Sequence, residues 1–261
     1  MHFPLARKRC RALLGHSHAM SGLAVGAATL PVVPVQTPLT QLTWVVAVGG
    51  FAMLPDLDTG GVTSRRGFPR MHGSTIALMW GPLTCVFAGL VARAAGGHRK
   101  GTHSLLGLFL WALAATALSS FYAGRLVLVA LGIGLALEAL AFAIPGRFEE
   151  MWPVNLAASF GAAWWLLGEP GPSGMGENYP LWLPSAVLVG CVTHVVGDLL
   201  TVGGVPLAWP LSDARLSVGL FQTGSPWERL LVAPALLAVA VWMVVTRTYA
   251  DAGPVLNVIG I

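Results

Sequence analysis

Residues 75–92 read TIALMWGPLTCVFAGLVA. The stretch is apolar and uncharged, and its length falls within the roughly 17 to 25 residues that cross a bilayer core. At its middle, however, stands Gly81-Pro82, a pair that ends or kinks a helix. Whether the stretch crosses decides the fold, because Pro55-Asp56-Leu57-Asp58 precedes it and His98-Arg99-Lys100-Gly101-Thr102-His103-Ser104 follows it. If it crosses, these polar groups lie on opposite faces of a membrane. If it dips in or lies along the interface, they can share one site.

The membrane itself follows from composition. Hydrophobic residues make up 55% of the chain, charged residues 10%, and the mean hydropathy is +0.72, far from the roughly 25% charged residues of a soluble domain. Apolar runs occur near 19–35, 40–54, 75–92, 104–122, 126–144, 152–168, 181–200 and 230–246. The second is short, and Pro31, Pro34 and Pro38 beside it suggest a tight hairpin with the first.

The basic residues then choose between the two topologies. With 75–92 crossing and the N-terminus inside, residues 7, 8, 9, 11, 65, 66, 70, 125 and 247 lie inside, while 93, 99, 100, 147, 215 and 229 lie outside. With 75–92 not crossing, only Arg125 and Arg247 remain outside, the asymmetry expected of cytoplasmic loops. The expectation is therefore an all-α, polytopic membrane helix bundle of about seven spanning helices plus one re-entrant or interfacial segment at 75–92. Its N-terminus is cytoplasmic and its C-terminus is outside. Residues 1–17 form a basic cytoplasmic N-terminus, 18–248 the membrane-embedded domain and 249–261 a short tail. The start of the chain (Arg7, Lys8, Arg9, Arg11, then an apolar run) is also signal-peptide-like, but cleavage would remove His18.

The basic residues form short juxtamembrane groups rather than a stripe, so nucleic acid is not an expected partner. Cys10, Cys85 and Cys191 make an odd count with no C-x-x-C spacing, which supports neither a disulfide framework nor a zinc ribbon.

In this topology the rare charged and imidazole groups converge on one face. His18 lies at the start of the first helix, Asp56 and Asp58 at the end of the second, and His103 at the start of the third. His194 and Asp198, four residues apart and so on one helix face, end the sixth. A carboxylate at the membrane centre costs about 2.5 to 3.5 kcal/mol, and something must offset that. Mixed imidazole and carboxylate donors suit Zn, Mn or Fe, with a position left open for water. Asp58 or Asp198 could act as general base or as a carboxylate bridging two metals, and Arg99 and Lys100 could hold an anionic group.

Each group also has a purely structural reading. His194 and Asp198 could be an interhelical polar pair, Asp56 and Asp58 a helix end, His103 a helix start. His16 and His72 read as solvated loop residues, and Ser225-Pro226-Trp227-Glu228 as a capping box. Glu138, alone in the fourth helix, reads equally as a buried protonated carboxyl or as a partner for the site.

Four segments, in order, carry a resemblance: His18-Ala-Met-Ser-Gly22, Leu54-Pro-Asp-Leu-Asp58, Gly97-His-Arg-Lys-Gly-Thr-His-Ser-Leu-Leu106 and Thr193-His-Val-Val-Gly-Asp-Leu-Leu-Thr-Val-Gly-Gly-Val-Pro-Leu-Ala-Trp-Pro210. Over about residues 15 to 230 the chain resembles the membrane-bound metal-dependent hydrolases, a family also described as LexA-binding, inner-membrane-associated hydrolases. It departs at Lys100, where the family often has Gly, and at Val202, where it often has Pro. The resemblance implies a bacterial inner-membrane, metal-dependent hydrolase with His18, Asp56, Asp58, His98, His103, His194 and Asp198 as the metal site. One or two divalent ions are expected, zinc first with Mn or Fe as alternatives.

Asp58, Asp198 and Arg99 are the catalytic candidates, and a lipid-like ester or phosphoester is the expected substrate. Two other readings use the same residues: a transporter or ion-binding protein, and a membrane anchor for a regulatory protein. Transport would call for polar groups deep in several helices and for a repeat.

Overall fold

The computed structural model describes residues 15–33, 37–65, 68–72, 74–143, 151–168, 179–220, 222, 225 and 227–259. Among these residues the chain forms nine α-helices: α1 (Gly15–Thr29), α2 (Pro38–Phe51), α3 (Thr75–Leu78), α4 (Pro82–Ala94), α5 (Leu105–Ser119), α6 (Tyr122–Ala143), α7 (Trp152–Leu167), α8 (Tyr179–Leu200) and α9 (Ala233–Ile259). Strands β1 (Gly61–Arg65) and β2 (Phe68–His72) pair antiparallel as a hairpin between α2 and α3. Helices dominate because hydrocarbon leaves backbone N–H and C=O groups no partners but each other.

Among the described residues, four stretches are long and apolar enough to cross a membrane: Pro38–Thr59, Tyr122–Leu140, Trp182–Leu200 and Leu230–Arg247. This corrects the seven spans expected from sequence. The runs at 19–35, 104–122 and 152–168 fold into helices of 15, 15 and 16 residues. At 1.5 Å per residue such helices reach about 22 to 24 Å, short of the roughly 30 Å hydrocarbon core. Apolar composition overcounts because it does not see where helices stop. Leu30–Val32, for instance, is apolar but tightens into a 3₁₀ turn.

The 75–92 stretch is broken where Gly81-Pro82 stands. Gly81 has φ +59, a left-handed conformation open to glycine, and Pro82 begins α4. A Cβ on Gly81 would lie 2.7 Å from the Trp152 ring.

The bundle is organised around α2, whose N-terminus is fixed by a Thr37/Thr40 capping box with Pro38 in the first turn. Three helices approach it through glycines, as small residues allow in membranes. A Cβ on Gly22 of α1 would lie 2.6 Å from the Ala52 Cβ. One on Gly190 of α8 would lie 2.7 Å from the Phe51 Cβ, and one on Gly50 would overlap the Gly132 carbonyl of α6. Trp44 donates its indole N–H to the Gly26 carbonyl (3.1 Å) and to Thr29 (3.0 Å), locking α1 to α2. The core beneath comprises Trp44, Phe51, Met53, Leu54, Leu57, Leu135, Trp182 and Leu183, all buried.

Candidate metal centre

Four segments meet where α2 ends. There the chain turns into a 3₁₀ segment, Leu54–Thr59, opened by Pro55 and carrying Asp56 and Asp58. The Asp56 N–H bonds the Met53 carbonyl and the Thr59 hydroxyl bonds the Asp56 carbonyl, so the turn is rigid. The 95–104 loop folds back onto it through Gly96 and Gly97, both at positive φ, and through Arg99 at φ +56. That conformation is uncommon for a side-chain-bearing residue. A second 3₁₀ turn, Gly101–His103, delivers His103 just before Ser104 caps α5. His194 and Asp198 come from the last turns of α8, and His18 from the first turn of α1.

Burial is nearly complete. His103, His194 and Asp198 have no exposed surface, and His18, Asp56 and Asp58 are buried. The ring nitrogens His103 Nε2 and His194 Nε2 face each other at 3.0 Å. Asp56 Oδ1 lies 3.5 Å from the first and 3.6 Å from the second, and Asp198 Oδ2 lies 3.6 and 3.8 Å from them. The His18 ring stacks on His194 at 3.7 Å between centroids, with Nε2 3.5 Å from Asp198 Oδ1.

The hydrogen bonds around this quartet fix its tautomers. His194 Nδ1 lies 2.7 Å from the Ala52 carbonyl, which can only accept, so Nδ1 carries the proton and Nε2 a lone pair. The Thr102 hydroxyl gives its one proton to Asp58 Oδ2 (2.5 Å). It must therefore accept from His103 Nδ1 at 2.9 Å, which leaves His103 Nε2 a lone pair as well. With both rings neutral, two imidazole nitrogens and two carboxylate oxygens converge as lone-pair donors without a proton among them. His18 Nε2 and Asp198 Oδ2 are buried without hydrogen-bond partners.

This arrangement fits a metal. Bonds of about 2.0 to 2.2 Å to one ion place neighbouring donors about 3 to 3.5 Å apart at octahedral or tetrahedral angles. The spacings of 3.0 to 3.8 Å lie close to that range. Among the described residues, three overlapping groups could each hold an ion: Asp56, His103 and His194; His18, His194 and Asp198; and Asp56, Asp58 and His98.

The other expected residues are placed as follows. Asp58 accepts from Thr102, from the Arg99 backbone N–H (3.2 Å) and from His98 Nδ1 at 2.6 Å. Burial opposes protonation of His98, but the bond to Asp58 and its charge outweigh burial and raise the pKa above the ordinary imidazole value. The Arg99 guanidinium donates to Asp198 Oδ1 at 3.0 Å, and Lys100 lies 3.7 Å from the exposed Asp213, so the guanidinium is engaged within the cluster.

Glu138 sits apart from the centre. It accepts from Asn155 of α7, whose own oxygen takes the Trp80 indole N–H. His16 lies in α1, partly buried, and His72 in strand β2, so neither is on a loop. Cys85 and Cys191 are buried thiols directed at the Gly61 and Phe51 carbonyls. Sequence reasoning missed Thr102 and the Ala52 carbonyl. A hydroxyl directly before His103 was a readable signal for the first, whereas a backbone carbonyl leaves none.

Fold and site together define a multi-pass membrane protein whose buried His/Asp cluster can coordinate a metal ion. The chain matches the family model described as YdjM inner membrane protein over residues 13–256 and belongs to that family, as its motifs led us to expect. No curated protein and no solved structure matches it significantly.

Proposed function

We propose that the chain is a metal-dependent hydrolase whose site opens at the cytoplasmic interface of the inner membrane and takes an amphipathic ester or phosphoester. The observation that carries this reading is the buried convergence of His103 Nε2, His194 Nε2, Asp56 Oδ1 and Asp198 Oδ2. Lone pairs so buried cost too much unless a cation joins them.

Asp56, His103 and His194 would hold the ion, a three-ligand set of the kind that leaves a position open. His18, His194 and Asp198 form an alternative set for the same ion rather than a second site, because His194 Nε2 has one lone pair to give. When bound, the metal supplies Lewis acidity and lowers the pKa of a water toward neutrality. Asp198 Oδ2, without a hydrogen bond, takes up the proton of the attacking water, while Arg99 holds the other oxygen in place. Asp58 orients His103 through Thr102, and the Ala52 carbonyl orients His194, the polar support that metal-binding imidazoles require. His98, at the mouth, exchanges protons between Asp58 and water. Zinc is the first choice of ion, with Mn or Fe suited to the same donors.

Metal analysis of gently solubilised protein tests this. At least one transition-metal ion per chain is expected, falling sharply in Asp56→Ala and His194→Ala variants that remain monodisperse. Wild-type protein that is metal-free, folded and hydrolytically active would overturn the reading.

A further inference from the structure

Beside the centre, between α4 and α5, lies a cleft of 260 Å³. Val91, Ala94, Leu106, Leu110, Trp111 and Trp209 form its walls. It is smaller than the roughly 300 to 1,000 Å³ of sites that enclose a whole drug-sized ligand. Its lining is apolar with one informative exception, Thr102, whose hydroxyl bonds Asp58. The cleft therefore runs from hydrocarbon-like walls to the edge of the metal centre.

Its outer surroundings are equally one-sided. Leu83, Val86, Phe87 and Leu90 of α4 and Leu105, Phe109 and Leu113 of α5 are exposed large apolar residues. In a membrane protein such residues face acyl chains. At the polar end, Trp209 lies over Gly96 and Gly101, where an added Cβ would come within 3.4 and 2.9 Å of its ring. The Leu207 carbonyl accepts from the Leu105 N–H (3.1 Å), tying this loop to the start of α5. A tryptophan in that place is typical of the level where headgroups meet hydrocarbon.

We infer that this cleft is a lipid subsite, holding one hydrocarbon chain of a membrane lipid with its headgroup directed past Thr102 toward the metal centre. The inference rests on the hydrolase reading only for what happens to the headgroup. Chain binding stands on the cleft itself. It narrows the substrate to a molecule drawn laterally from the bilayer rather than one arriving from water.

The test is photo-cross-linking of the full chain in vesicles of phosphatidylethanolamine and phosphatidylglycerol, doped with a phosphatidylglycerol that carries a diazirine near one acyl terminus. Labelling is expected to concentrate on residues 91–114 and on Trp209. Ala114 and Ala94 line the cleft and are exposed, so a ring placed there fills the cleft without entering the bundle core. Ala114→Phe and Ala94→Phe should cut that labelling about tenfold, since displacing two methylenes at about 0.8 kcal/mol each is worth that factor. Leu113→Phe, on the same helix but outside the lining, should leave it unchanged.

Label spread evenly over the exposed helices, or undiminished in monodisperse Ala114→Phe and Ala94→Phe, would overturn the proposal. Metal analysis of the same preparation separates the two readings. Cleft labelling that persists in protein shown to bind no metal would sink the hydrolase reading alone, while stoichiometric metal with no cleft labelling would sink the lipid subsite alone.

Discussion

Thr102 makes a chain of contacts that no single residue type advertises: Asp58 accepts its proton, and it accepts the proton of His103. Thr102→Val keeps the shape and removes both bonds. We expect metal affinity to fall about 10- to 100-fold, as when other orienting partners are lost, with Thr102→Ser restoring most of it; chelator competition measures this. Arg99 is the second residue whose role is conformational as well as electrostatic. Its backbone N–H bonds Asp58, and its guanidinium, 12% exposed, pairs with Asp198. Arg99→Gln leaves Asp198 buried without its cation. The metal-free protein should then lose about 3 to 5 kcal/mol of stability, read as a lower thermal midpoint in detergent that added metal partly restores. An unchanged midpoint in the metal-free variant would mean that the pair contributes nothing.

At the scale of elements, α2 governs the site because its C-terminal end sets the height of Asp56 and Asp58, and α8 must be seated against it for His194 to reach the Ala52 carbonyl. The helix contacts are backbone-close. On Gly50 a Cβ would overlap the Gly132 carbonyl, and backbone cannot yield as a side-chain tip does. Gly50→Ala is expected to destabilise the bundle by about 1 to 3 kcal/mol, whereas Gly161→Ala, where a Cβ meets nothing within 4 Å, should be silent. Thermal inactivation of the two variants in one detergent compares them directly. The helices α1, α4, α5 and α7, of 13 to 16 residues, are each shorter than a bilayer core. Hydropathy registered their composition, but length in ångströms depends on where capping and 3₁₀ turns end each helix.

At the scale of the molecule, the decisive fact is that His98 touches Asp58 across 40 residues of chain, including the whole of 75–92. We expect the segments on either side of that stretch to share a membrane face. Single cysteines at positions 72 and 98, in a background without the native cysteines, should label from the same side with an impermeant maleimide. Labelling from opposite sides would break the shared site. Position 174, expected on the other face, lies outside the described residues.

The sequence by itself determined that this is an apolar, multi-pass helical membrane protein. It also determined that 75–92 is interrupted at Gly81-Pro82 and that a handful of His and Asp residues in four motifs belong together. Those signals are local: composition, a helix-breaking pair, and charges too costly to bury without a purpose. Tertiary structure alone decided the number of helices long enough to cross and the tautomers of His103 and His194. It also decided the engagement of Arg99 with Asp198 and the cleft between α4 and α5. Each of these depends on distances between residues remote in the chain or on where a backbone carbonyl points. A one-dimensional pattern carries neither, because the glycine contacts that set the helix heights are made between backbones rather than encoded in any one side chain.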